Sequence, residues 1–175
     1  KGDDHVLVPM SGPNPHPTAM LGARIAAAHD AGKVVLLDVV ADADAATAEL
    51  DALDRGTRLA TDGGESHATP ADHPQSAEDG ERAVASTAQA LEERAATIEE
   101  EVGVPCEVVV AVDGTNRAGT IERAARRANC DLLAVPYASS HGVLANHVRR
   151  LFRSEFDVVV HRSADPERTL WKEIL

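Results

Sequence analysis

Lysine and aromatic residues are nearly missing from this 175-residue chain, which holds three lysines (Lys1, Lys33 and Lys172), two Phe, one Tyr and one Trp. Acids outnumber bases 29 to 17, for a formal net charge of −12. An acid-rich, lysine-poor, alanine-rich surface keeps its hydration in concentrated salt, so the composition points to the cytoplasm of a salt-loving archaeon. It also disfavours non-specific attraction to nucleic acid or to an anionic membrane. Cysteine is scarce as well. Cys106 and Cys130 lack CxxC spacing and flank apolar runs, which argues for two buried thiols in a reducing compartment rather than a bridge or a metal site. No apolar run approaches the ~18 residues of a membrane helix, and the start carries no signal-peptide pattern. The chain opens on Lys1 rather than Met, which is consistent with a processed or cut piece.

The chain does contain a series of short apolar runs. HVLVPM (5–10), VVLLDVV (34–40), CEVVVAV (106–112), LLAV (132–135) and VVV (158–160) read as strands buried on both faces. Helical segments separate them. Residues 18–30 place Met20, Leu21, Ile25 and Ala28 along one face, with Gly32 suited to the C-terminal cap. Residues 81–102 are the clearest helix, with Val84, Ala88, Leu91, Ala95, Ile98 and Val102 recurring in steps of three and four. Residues 116–129 turn Ile121, Ala124, Ala125 and Ala128 inward, and 144–153 turn Val148, Leu151 and Phe152 inward. Strand–helix alternation predicts an α/β fold, an open five-stranded parallel sheet flanked by helices and wound by right-handed crossovers. Glu99, Glu100 and Glu101 form a solvated face, and Arg149, Arg150 and Arg153 complement a helix C-terminus.

Residues 41–80 interrupt the pattern as a long acidic insertion within a domain spanning 1–162. Ala46, Leu50 and Leu53 mark a short amphipathic helix there, and 61–80 read as a mobile, solvated loop. His67 and His73 in that loop have no recognised metal-ligand spacing. Residues 163–175 form a linker or tail. WKEIL (171–175) is similar to the approach to the first strand, which suggests the start of a second, similar domain or a tail packing on a partner subunit.

Three motifs carry a resemblance. Val8-Pro9-Met10-Ser11-Gly12 follows the first strand, V-D-G stands at 112–114 before a helix, and N-C-D-L-L-A-V stands at 129–135. Together they resemble the universal stress protein family over nearly the whole chain apart from 41–80. The resemblance implies an adenine nucleotide α-hydrolase-like, Rossmann-type sheet. It also implies that the segment after LLAV corresponds to the G-x2-G-x9-G-[S/T] loop which, in ATP-binding members, cradles phosphates and ribose. Pro136 then stands at the first glycine, Ser139 at the second, and Leu144 and Ala145 at the final pair. The intervening loop is about five residues shorter, with Gly142 its only glycine, and Ser11 stands where nucleotide-binding members carry a ribose-contacting aspartate. The positional ligand candidates are therefore Pro9, Met10, Ser11, Val39, Pro136, Ser139, Ser140 and Gly142.

No catalytic constellation emerges. Ser139-Ser140-His141 is adjacent in sequence, which does not give triad geometry. Ser11-Gly12-Pro13-Asn14-Pro15 supplies only the first two residues of the S-G-G-x-D-S loop of ATP-pyrophosphatases, and its prolines lack the N–H donors a phosphate needs. The expectation is a regulatory or interaction domain that is not an enzyme, with no metal and no bound cofactor. The resemblance implies a homodimer through an edge strand at Asp157 to His161. It also implies a cytoplasmic setting, as the regulatory part of an amino-acid transporter or antiporter in the same polypeptide, or beside a second similar domain. The alternative is an AMP or ATP sensor using the shortened loop, with amides at Ser139, Ser140 and Gly142 as donors and Arg149 reaching a phosphate.

Overall fold

Each apolar run becomes a parallel strand, and one further strand joins them. A computed structural model of the chain describes residues 5–11, 14–40, 57–60, 74–112, 116–137, 139–140, 143–144 and 146–162. Strands β1 (His5–Pro9), β2 (Lys33–Val40), β3 (Thr57–Ala60), β4 (Cys106–Val112), β5 (Leu132–Pro136) and β8 (Asp157–His161) form one sheet in the order β3-β4-β2-β1-β5-β8. Every pairing in it is parallel. The five expected strands are contiguous in that order. The addition is β3, which lies inside the 41–80 insertion, between the short helix expected around Ala46 to Leu53 and the loop expected from Thr61. Its sequence, TRLA, is four residues long with one large apolar side chain, too short for a periodic signal. The rest of 41–80 apart from 74–80, the tail 163–175, and Gly142 lie outside the described residues.

Because successive strand residues point to opposite faces, an all-apolar strand supplies two cores at once. Val6, Val8, Val34, Leu36, Val108, Val110 and Ala134 face helices α1 (His16–Ala27) and α2 (Pro74–Val102). Leu7, Val35, Leu37, Val109, Ala111, Leu133 and Val135 face α3 (Arg117–Arg127) and α4 (Asn146–Leu151). The sheet is thus the middle layer of three.

The helices carry most of the differences from expectation. Helix α2 buries Val84, Ala88, Leu91, Ala95 and Ile98 as its periodicity requires, but it begins at Pro74 rather than 81, so 74–80 is helical and not loop. Proline is tolerated in a first turn, where its missing N–H has no partner to lose. The same reason lets α1 start at His16, two residues early, with the amides of Thr18 and Ala19 both donating to Pro15 O. Helix α1 is also rotated from the expected face. Its buried residues are Thr18, Ala19, Gly22, Ala23 and Ala26, while Met20, Leu21 and Ile25 are half-buried and Ala28 is exposed. Small side chains on that stripe let the helix axis come close to β1. A Cβ on Gly22 would stand 2.8 Å from Val8 Cγ2. Gly32 does not act as a left-handed cap; it is required because a Cβ there would meet Ala26 O at 1.9 Å. Phe152, expected inward, is 52% exposed because α4 ends at Leu151. Phe156 packs on the α3 layer instead, with the Arg126 guanidinium 5.8 Å from its ring centroid.

Candidate functional site

Strands β2, β4 and β3 extend from one side of β1, and β5 and β8 from the other. The winding therefore reverses between β1 and β5, and the loops leaving their carboxyl ends diverge to open a crevice, the place where doubly wound sheets bind ligands. A cavity of about 170 Å³ lies there. Pro9 and Ser11 line it from β1, Val135 and Pro136 from β5, Arg117 and Ile121 from α3, and His147 from α4.

Local sequence places the two polar groups that come from helices, Arg117 and His147. Asn116 caps α3, its side chain accepting the Gly119 amide at 3.3 Å, so Arg117 is the first helical residue and sits at the carboxyl edge of the sheet. Arg150 Nη1 donates to the same Asn116 Oδ1 at 3.4 Å, tying α4 to the start of α3. His147, half-buried beside Arg117, has its pKa lowered below the ordinary 6.5, first by burial and then by the neighbouring guanidinium. Its ring is therefore neutral at neutral pH, with one nitrogen free to accept.

The expected site residues divide. Pro9, Ser11 and Pro136 converge on this cavity. Met10, one residue out of step, turns to the opposite layer and lines a different cavity. Val39 packs against the α3–α4 core. Ser139–Ser140 form β6, which pairs antiparallel with β7 (Val143–Leu144), Ser139 opposite Leu144 and Ser140 opposite Val143. Arg149 is exposed and does not line the cavity. Arg117 was not among the candidates. The usable signal was topological: a crossover helix starts at the carboxyl end of the strand before it, so the first residues of α3 border the crevice.

Two other features bear on chemistry. Cys130 is buried and Cys106 half-buried. Both thiols are pushed up to about 12, chiefly by burial; Glu99 and Glu107 add to this for Cys106, while for Cys130 Lys33 pulls the other way. They are protonated at neutral pH and poor nucleophiles. Charge is also divided across the sheet. Helix α2 carries eight acids against two arginines, whereas α3 carries four arginines against one glutamate.

Strand β8 ends the sheet on the β5 side. Asp157 is exposed, and Val158, Val159, Val160 and His161 are half-buried. Its carboxyl end is pinned: His161 Nδ1 lies 3.1 Å from Thr18 Oγ1 of α1, and His161 O accepts the Tyr137 amide at 2.7 Å. Among the described residues, no helix is long and apolar enough to cross a membrane.

A doubly wound parallel sheet with this strand order defines an α/β domain of the Rossmann type. Solved structures narrow the class. A universal stress protein from Lactobacillus plantarum superimposes with a TM-score of 0.63 at 17% identity, covering 93% of this chain and 99% of that one. A member of the family from Burkholderia pseudomallei gives 0.58 at 18% identity, covering 92% and 97%. A universal stress protein in complex with cAMP gives 0.58 at 16% identity, covering 94% and 100%. No protein-family model and no curated protein matches the sequence. The chain has the universal stress protein fold.

Proposed function

We propose that this chain is a universal stress protein-like regulatory or interaction domain in which the G-x2-G-x9-G-[S/T] nucleotide loop has been lost. The observation that carries the reading is the crevice itself. Its volume of about 170 Å³ falls below the roughly 300–1,000 Å³ of pockets that enclose drug-sized ligands. Two of its walls are prolines, Pro9 and Pro136, which offer no N–H to a phosphate. Ser139 and Ser140, two more of the expected backbone donors, lie in a short antiparallel pairing with β7.

Interaction then falls to surfaces. Three consecutive half-buried valines on the strand that ends the sheet among the described residues are a template for pairing with another strand, which supports a homodimer through Asp157–His161. The acidic, lysine-poor composition supports the cytoplasm of a halophilic archaeon. A domain of this kind suits the regulatory part of an amino-acid transporter or antiporter, with no role for nucleic acid. We assign it no enzymatic activity and no resident cofactor.

The alternative, an AMP or ATP sensor, has one observation in its favour: Arg117 and a neutral His147 share the crevice with Ser11, a set able to hold a small anion. Isothermal titration of the chain with ATP, AMP and cAMP, with magnesium and in molar KCl, separates the two. The interaction reading requires no saturable heat up to millimolar nucleotide. Micromolar binding abolished by Arg117→Gln would establish the sensor instead, and equal stability without KCl would remove the halophilic setting.

A further inference from the structure

On the other face of the sheet, a second cavity of about 270 Å³ lies between the carboxyl half of β2 and the middle of α2. Met10 and Leu91 give it an apolar floor, Ser86 and Thr87 contribute hydroxyls, and Asp38 and Arg94 bring opposite charges.

Asp38 is the anomaly. It interrupts β2, KVVLLDVV, a central strand paired with β1 on one side and β4 on the other. By alternation it belongs to the row of Val34 and Leu36, which are fully buried under α1 and α2. Asp38 itself, near the carboxyl end of the strand, is half-buried. Its Oδ1 accepts the Val39 amide at 2.8 Å, and among the described residues Asp38 forms no ion pair. Arg94, exposed at the same cavity, likewise has neither an ion pair nor a hydrogen bond among the described residues. Two opposite charges that line one cavity without closing on each other leave a gap for something that carries both signs.

We propose that this cavity binds a small zwitterion, an ammonium-and-carboxylate molecule of amino-acid size. Asp38 receives the ammonium group and Arg94 the carboxylate, as charge-assisted hydrogen bonds. Ser86 and Thr87 supply further polar contacts, and the floor of Met10 and Leu91 accommodates an aliphatic portion. The site is on the α1–α2 side of the sheet, whereas the β1–β5 crevice belongs to the α3–α4 side. The two cavities share no lining residue, so each can be tested by its own substitutions.

The test uses the whole chain, a thermal-shift panel of the L-amino acids, and calorimetry on any zwitterion that raises the melting temperature. For L-leucine, isoamylamine and 4-methylpentanoate serve as analogues that each lack one charge. At least one zwitterion is expected to bind saturably at one site. Asp38→Asn and Arg94→Gln are each expected to weaken it about tenfold or more, as for the loss of one charged hydrogen bond. The asparagine still accepts the Val39 amide, and Arg94 is exposed, so the unliganded melting temperatures should stay near wild type. If Asp38→Asn alone unfolds the chain, Arg94→Gln still decides the matter. The proposal is overturned if no zwitterion in the panel binds, if binding survives the substitutions, or if a singly charged analogue binds as tightly.

Discussion

Substituting Gly22 by alanine tests the close approach on which the α1 layer rests. At an exposed helical position this change stabilises by about 1 kcal/mol, because alanine has the higher helix propensity. Here the new Cβ would lie 2.8 Å from Val8 Cγ2, 3.2 Å from Val6 Cγ1 and 3.7 Å from Ala134 Cβ. Val8 is fully buried, and a β-branched side chain in a strand has little χ1 freedom to move aside. Helix α1 must therefore lift or the strand must bend, an overpacking penalty of typically 1–3 kcal/mol. Subtracting the propensity gain leaves a net loss of about 0–2 kcal/mol, with about 1 kcal/mol as the central value. For a domain of this size that lowers the melting temperature by about 2–4 °C. Urea unfolding followed by circular dichroism measures it. The same substitution made in a Val8→Ala background loses the 2.8 Å clash, keeps only the 3.2 Å approach of Val6 Cγ1, and should be neutral or stabilising. This change of sign is the signature of the contact. If Gly22→Ala stabilises the otherwise unaltered chain by the full propensity gain, the reasoning about α1 is wrong.

Two further outcomes are expected. His147, whose folded pKa is depressed by burial and by Arg117, contributes stability above its unfolded value near 6.5, and this is lost as pH falls through the lower folded value. Stability should therefore decline below about pH 6.5, and Arg117→Gln should move the His147 midpoint upward in an NMR titration; a midpoint indifferent to Arg117 would contradict the geometry of the crevice. Val159 lies on the β8 edge and belongs to neither core cluster, so Val159→Lys should turn a dimer into a folded monomer in sedimentation experiments. A wild-type chain that sediments as a monomer at every concentration would dispose of edge pairing.

Much of the architecture was legible from local pattern. A strand buried on both faces is apolar at nearly every position, so VVLLDVV and CEVVVAV, each with a single charged residue, announced themselves, and the three-and-four spacing of Val84 to Ile98 did the same for α2. Legibility failed where the deciding quantity was a distance. Met20, Leu21 and Ile25 are the more hydrophobic side of α1, yet Ala19, Gly22, Ala23 and Ala26 face the sheet, because a close crossing selects for size over hydrophobicity. Phe152 turned outward because α4 stops at Leu151, one residue short of it, and Phe156 packs on the α3–α4 core.

By itself, then, the amino-acid order determined five of the six strands of the main sheet and the helices that flank them, since burial of both sheet faces demands apolar runs and three-and-four spacings that are read locally. Tertiary structure alone decided which groups share a cavity. Pro9, Arg117, Pro136 and His147 meet in one, and Asp38 and Arg94 in another, although long stretches of chain separate them. The winding of the sheet and the separation of its layers set those meetings, and neither leaves a mark on local periodicity.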